Sequence, residues 1–498
     1  MNTFTWKVHY FLWYAGLAGI LPYYAVFVKT YTATSAISIG TLFAILPFTA
    51  FILNPLFCSL ADKQNNHRQW LLCLMCLTML TFGSLIALPW MNFRISWIVA
   101  SILLLIAYPS MAAAVSITDA IVMQKISQIN MIGSSSSPSQ SPEAHKVSSQ
   151  SNFGNTRVWG TIGYGLFGIV TGPLNDKNKI DLNLPYLVPG IIMFILIMIA
   201  DLIVIIIGPY HEAQADKRRA VERTLSTSTT IEVGSGSSSR EERKKMLQVE
   251  TTEVENSLHQ DQASILNSIF TEYPSLLQHC FALTILGILM ACHWSFFYWY
   301  LEEVAGKDPL LMGLCMFVGC FLGEMIFFYY GSQIVKRFGP SRCFEMSMIA
   351  FAFQYFSYSY LIHPGYQYYV LFLEVLQGPT FGLLYCAMTH LAHDYSIEHA
   401  LSIKSPPRGG TKTVSSNTEN DDQHAITQAT KQVHSSLQGI LTGCLEGLGL
   451  GLGSFFAGFL IHNFGSRVMW TCAGSLALVS LSINLCFDAI RWFARDGD

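Results

Sequence analysis

The chain has 498 residues, 51% of them hydrophobic and 12% charged, with a formal net charge of −3. Soluble domains carry about 25% charged residues, so so poor a supply excludes an ordinary water-covered surface. No basic excess is present of the kind that nucleic acid attracts.

A membrane span needs roughly 20 apolar residues. Twelve runs meet that need, at 10–28, 37–60, 70–88, 95–123, 158–174, 186–207, 276–301, 310–330, 343–362, 368–392, 437–461 and 468–490. The first has Lys7 and His9 near its start, lacks an A-x-A cleavage pattern and contains Tyr14, Tyr23 and Tyr24. It reads as a retained span rather than a signal peptide. Most cysteines fall inside spans as small packing residues, and neither disulfides nor a metal site is indicated.

Three polar stretches interrupt the pattern: Ser-rich loops at about 127–153 and 398–433, and a central linker at 209–275 with "GSGSSSREERKK". They are too polar to bury a core, so disorder is expected. With both termini cytoplasmic, all three lie inside together with most Lys and Arg. The other side keeps only Lys29, Arg94, Lys177, Lys179, Lys307 and Arg467. The positive-inside rule selects this orientation. The Ser-rich loops are also where cytoplasmic partners would bind.

The linker separates residues 1–208 from 276–498, six spans each, and the halves echo one another. "SLADKQNNHRQW" joins spans two and three, and "GSQIVKRFGPSRCF" joins eight and nine. Asn66 and Gly339 hold equivalent turn positions where φ > 0 is wanted, and Lys63 matches Lys336. A duplicated six-span unit is common among secondary transporters.

These features resemble the major facilitator superfamily. "LADKQNNHR" is similar to that family's two–three loop motif, with Asp62, Lys63 and Arg68 as its charged members and Cys58 and Asn66 replacing its glycines. The second loop keeps Gly331 and Gly339, with Lys336 and Arg337, but has Val335 where an acid would stand. "NTRVWGTIGYG", "LEVLQGPTFGLLYCAMTHLA" and "SSLQGILTGCLEGLGLGLGSFFAG" are similar to segments of the animal MFSD-six-like group, related to the lactose-permease and nucleoside-symporter branch. The resemblance implies an all-α membrane protein of twelve transmembrane helices in two six-helix bundles. It also implies a gating latch that includes Asp62, and a sugar-like or nucleoside-like solute.

"TIGYG", at 161–165, is similar to the filter of potassium channels. A filter needs four copies in extended backbone, whereas this single copy lies in an apolar helix-length run. Gly160, Gly163, Gly165, Gly168 and Gly172 instead suit close helix approach, as do Gly439, Gly443, Gly447 and Gly451 at four-residue spacing in span eleven.

A charge at bilayer depth costs at least about 2.5–3.5 kcal/mol, so each needs a partner, water or its neutral form. Asp119 in span four and Arg157 at the start of span five are antiparallel neighbours able to pair, and the resemblance implies a substrate role for such a pair. Glu324, Glu374 and Glu446 have no opposite charge three or four positions away. A carboxyl group so placed can take up and release a proton, which is what proton coupling requires. Packing around Glu446 is expected to be tight, which ranks it below the other two. His293, in "ACHWSFFYWYL", fits an interfacial aromatic belt better than a ligand, and Asp201 and Asp488 lie where they can reach water.

No P-loop, G-x-S-x-G or H-E-x-x-H is present, which leaves no ATPase or hydrolase signature and no cofactor. The expected function is a multi-pass, proton-coupled symporter of a small polar solute. The alternative is a receptor or scaffold that keeps the fold without transport.

Overall fold

In lipid every backbone polar group must be satisfied within its own segment, and the apolar runs accordingly fold as helices. The computed structural model describes residues 4–64, 66–134, 142–176, 184–227, 274–404 and 437–495, and these are helical with no strand among them. In order they form α1 (Phe4–Leu17), α2 (Tyr24–Thr32), α3 (Ala36–Lys63), α4 (His67–Ser84), α5 (Phe93–Ser134), α6 (Pro142–Asn175), α7 (Val188–Thr227) and α8 (Pro274–Ala305). The second part of the chain continues with α9 (Pro309–Val318), α10 (Met325–Phe338), α11 (Pro340–Tyr360), α12 (Val370–Glu374), α13 (Leu383–Lys404), α14 (Leu450–Phe464) and α15 (Ser466–Arg495). Three π-helical turns, Gly319–Glu324, Gly378–Gly382 and Gly443–Gly449, interrupt or precede these helices.

Eight helices among the described residues are long and apolar enough to cross a membrane. A ninth span is a pair, Gln367–Glu374 and Gly378–Ser396, bent by 41°. Helices also fill the three other positions expected to span, in α1–α2, α6 and α11, but these are broken or too polar to pass on composition. Phe51, Ile52, Leu196 and Phe372 are exposed on the surface, as lipid-facing side chains are.

The structure departs from the sequence expectation in three places. The first span is not one helix: residues 18–23 turn between α1 and α2, where Pro22 lacks an amide proton and restricts Leu21. Ala18, Ile20 and Tyr23 are buried there, so the irregular backbone is covered by protein. Helix also runs into stretches expected to be disordered, since α6 starts at Pro142 and α7 continues to Thr227. Pro at the first helical position and the helix-forming "HEAQADKRRAVER" account for this. The rest of those stretches lies outside the described residues. Finally, Asn66 has φ −133° and not the positive φ expected, whereas Gly339 has φ +85°.

Two compact units divide the chain. One comprises Met1–Tyr210, Ala282–His390 and Thr442–Asp498, and the other His211–Phe281 and Leu391–Leu441. In the second unit, the hydroxyl of Tyr395 lies 2.7 Å from Ser275 Oγ and 3.1 Å from His279 Nδ1.

In the first unit the glycines of α6 set the packing. A Cβ on Gly160 would meet the Tyr14 ring at 2.6 Å, and one on Gly163 would strike the Phe11 carbonyl, so α6 lies hard against α1. Further along, Gly168 faces Met316 and the Gly313 carbonyl, and Gly172 faces the Pro309 carbonyl, so the same helix lies against α9. TIGYG is therefore plain helix inside this contact. Gly40 and Gly458 bring α3 onto α14 in the same way, and a Cβ on Gly451 would meet the Phe48 ring at 2.9 Å.

Span eleven departs from the expected packing. Beside Gly439, Gly443 and Gly447 a Cβ would meet nothing within 4 Å. These three glycines leave space open rather than admit a neighbour.

Candidate functional site

Consecutive residues of α1 address consecutive residues of α5. Tyr10 donates its hydroxyl to Asp119 Oδ1, and Arg157 Nη1 on α6 pairs with Asp119 Oδ2. One residue back, His9 Nδ1 lies 2.9 and 3.0 Å from the two carboxylate oxygens of Asp201 on α7, while its Nε2 is 3.1 Å from Thr118 Oγ1. The expected Asp119–Arg157 pair thus forms. Asp201, expected to reach water, is instead fully buried with His9 as its partner, and the sequence reading did not single out His9 for this. A Cβ on Gly16 of α1 would meet Met198 and one on Gly208 of α7 would meet Thr5, so these two helices lie close together beside the pair.

The two ion pairs differ in access. The Arg157 side chain is 45% accessible and Asp119 27%, whereas His9 and Asp201 are sealed from solvent.

A second cluster lies where the helices of the C-terminal part break. Pro379 has no amide proton, and the residues before it leave the helix after Glu374. Gly323 of the first π turn packs on the Gly378 nitrogen and the Val375 carbonyl of the second break, and a Cβ on Gly382 would lie 3.2 Å from the Glu324 carbonyl. The elements that carry Glu324 and Glu374 therefore touch, and the two carboxyl groups interact electrostatically. Glu374 is only 3% exposed. It accepts from Tyr358, whose hydroxyl in turn accepts from Gln354 Nε2 at 2.8 Å.

His293 belongs to this cluster rather than to an interfacial belt. It is buried, stacks on Phe297 with ring centroids 4.5 Å apart, and holds Nε2 3.8 Å from Glu374 Oε2. Aromatic periodicity could not reveal this, because the run covers every face of α8. The Gln377 amide nitrogen sits 2.6 Å from the same Nε2. An amide nitrogen only donates, so Nε2 accepts and the ring proton lies on Nδ1, which is buried with no partner.

Glu446 occupies the third π turn. It is partly accessible and interacts electrostatically with Arg157, Tyr14 and Tyr108. Glu324 and Glu446 therefore sit in π turns, a backbone feature frequent at functional sites, while Glu374 ends the short helix that precedes another. Among the described residues no group of three His, Cys, Asp or Glu side chains is placed to hold a metal ion.

The expected gating residues lie apart from these clusters. Arg68 donates to the Ile205 and Ile206 carbonyls of α7 at 2.8 and 2.7 Å. Lys63, Lys336 and Arg337 are exposed, Gly331 packs on Cys386, and Gly339 supplies the turn between α10 and α11. The Asp62 side chain lies outside the described residues.

A family model described as the MFS_1 like family matches residues 4–401. The chain belongs to that family. This MFS protein is an integral, multi-pass membrane protein with the transporter fold of its superfamily, and its family places it among transporters rather than enzymes. Solved structures agree on the fold. The nucleoside transporter NupG is 12% identical over 97% of this chain and 99% of that one, with a TM-score of 0.61. A peptide transporter POT in complex with alafosfalin is 12% identical over 98% and 94%, with a TM-score of 0.57. The xylose transporter XylE from E. coli, in a partially occluded inward-open conformation, is 10% identical over 97% and 98%, with a TM-score of 0.55.

Proposed function

We propose that this MFS protein is a secondary transporter that moves a small polar solute by alternating access, coupled to proton symport. The observation that carries the reading is the convergence of ionisable groups inside the spans. An accessible Asp119–Arg157 pair lies within electrostatic reach of Glu446, and Glu324 and Glu374 sit at two touching helix breaks. Charges at this depth persist only where they serve a pathway or are neutralised, and Glu374 has both a hydroxyl donor and a nearby imidazole with which to exchange a proton.

In this reading residues 1–208 and 276–498 are the two moving bundles, joined by the linker, with α6 against α9 and α3 against α14 as the sliding seams. Both termini face the cytoplasm, supported by the basic residues gathered at that end. The loop of Asp62, Lys63 and Arg68 and the loop of Lys336, Arg337 and Gly339 gate that side. Segments similar to the MFSD-six-like group favour membership there, and the serine-rich loops offer cytoplasmic contacts. The solute meets the chain at Asp119, Arg157 and Glu446, while Glu324, Glu374 and His293 handle the proton.

Proteoliposomes loaded with a pH dye and exposed to a metabolite panel test the reading. At least one solute should drive proton entry, and Glu374→Gln should slow coupled flux about tenfold while the protein stays monodisperse. Uptake that ignores both pH and Glu374→Gln would overturn the coupling.

A further inference from the structure

We propose that Gln377 is a positioning residue that holds His293 and Glu374 apart, and that a shift of the bend carrying it lets those two side chains pair directly. The proposal rests on the transport reading above and adds how helix movement reaches the proton. All three side chains are buried, yet the imidazole and the carboxylate do not touch: Nε2 lies 3.8 Å from Oε2. A charge-assisted bond between them would span about 2.7–2.9 Å, so the pair stands about 1 Å short of closing.

Gln377 takes the atom that Glu374 would need. Its amide nitrogen is 2.6 Å from His293 Nε2, and an imidazole nitrogen that accepts there carries no proton to give a carboxylate. The ring proton is thereby fixed on Nδ1, where it finds no acceptor. A buried donor left so is costly, and marks an arrangement that the amide imposes on the ring. Stacking on Phe297 and Tyr358 sets the plane of the imidazole but not which edge carries the proton.

The chain places that amide on a hinge. Helix α12 ends at Glu374, and helix resumes in the π turn Gly378–Gly382 at an angle of 41°. Gln377 stands just before that turn, across the bend from Glu374. Its stem rests on the other π turn: a Cβ on Gly319 would come 3.3 Å from Gln377 Cγ, and one on Gly323 3.2 Å from its Cβ. That turn continues α9, which lies against α6 across the glycine seam. A slide along the seam therefore reaches Gln377 through packed atoms, while Glu374 stays tied to Tyr358 on α11. Once the amide withdraws, the free Nε2 lone pair accepts the proton of a neutral Glu374. The ring becomes a cation and the carboxyl group an anion, the sum of charge is unchanged, and the two attract.

The other titratable groups facing this pair are Tyr298 on α8, Cys315 on α9, Cys320 and Glu324 on the π turn, and Tyr355 and Tyr358 on α11. No lysine or arginine forms an ion pair with Glu374 among the described residues.

The test reads the ring itself, by nitrogen NMR on the purified full-length protein carrying isotope-labelled histidine, in liposomes at neutral pH without a gradient. The signal lost in His293→Asn identifies the residue. The wild type should show a protonated Nδ1 and a bare Nε2. Gln377→Met, similar in length but without a donor, should raise the ratio of protonated to bare Nε2 about tenfold or more. The ratio should move alike in a Glu324→Gln background. A protonated Nε2 in the wild type, a ratio unmoved by Gln377→Met, or a shift that vanishes with Glu324→Gln would overturn the proposal. Should Gln377→Met not fold, Gly319→Ala decides: its methyl group presses on the Gln377 stem and should raise the same ratio, and an unmoved ratio overturns the proposal. Neither solute nor gradient enters the measurement, so its failure leaves proton coupling standing, and failed coupling leaves the state of the ring standing.

Discussion

Lys29 and Glu302 form a 2.9 Å ion pair that ties the end of α2 to the end of α8. The Lys29 ammonium also lies 4.2 Å from the centre of the Trp299 ring. Trp299 Nε1 donates to Glu303 at 2.6 Å, and Glu303 accepts from Ser466 at the start of α15. One end of the molecule is thereby held by charge, ring and hydroxyl at once. In the transport reading this is the outer end, closed while Arg157 remains accessible.

Breaking the tie should open that end. A partly exposed pair contributes about 0.5–1 kcal/mol, which corresponds to a few-fold change in the open population. Glu302→Gln should therefore speed labelling of a Thr30→Cys reporter by a membrane-impermeant thiol reagent a few-fold over the same reporter without it. The charge swap Lys29→Glu with Glu302→Lys should return the rate. Labelling indifferent to Glu302→Gln would remove the pair from any gating role.

The buried His9–Asp201 pair should behave as structure rather than as a solute contact. Removing one member of a buried pair costs about 3–5 kcal/mol, because the other is left uncompensated. Asp201→Ala should lower the apparent melting temperature more than the double variant His9→Leu with Asp201→Leu does. Equal loss from both would show that the two side chains do not depend on each other.

The glycines permit a paired comparison. Gly163→Ala drives a methyl group into the Phe11 carbonyl and should destabilise by about 1–3 kcal/mol. Gly447→Ala meets open space and should leave the melting temperature unchanged. Fluorescence-detected size exclusion after heating separates the two outcomes, and equal stability of both variants would contradict the packing described for α6.

Arg157→Lys keeps the charge but loses the planar fork that addresses Asp119. Uptake should fall about tenfold with the protein still folded, and Asp119→Asn should do the same. Rates near wild type in both would make the pair a plain helix clip.

Much of this was legible from sequence wherever lipid does the selecting. Apolar runs marked the eight helices, and the bent ninth, that are long and apolar enough to cross, and the Asp119–Arg157 contact followed from two charges on antiparallel neighbours. His9 and Asp201 were not legible as partners, since 192 residues separate them and nothing local marks either. His293 was placed in the wrong setting because its aromatic run has no preferred face. Glycine spacing marks where side chains are absent, but not whether a helix or an empty space takes their place, which is why Gly163 and Gly447 read alike. The π turns have no compositional signature of their own, though Gly378 beside Pro379 marks one break.

Helix α11 is too polar to pass as a span on composition, yet it is among the most buried. Gln354 donates to the Leu373 carbonyl at 3.3 Å, Ser347 to the Pro379 carbonyl at 2.7 Å, and Ser359 lies 2.8 Å from Thr471 Oγ1. Tyr355 and Tyr358 each pack on Trp470 with centroids 5.0 Å apart. A segment with several polar groups whose partners lie on later helices gains less by entering the bilayer before those helices. During biosynthesis it should stay loosely seated until α12 to α15 emerge. A glycosylation tag after Tyr360 on a chain truncated there should then report mixed topology, and the full-length chain a single one.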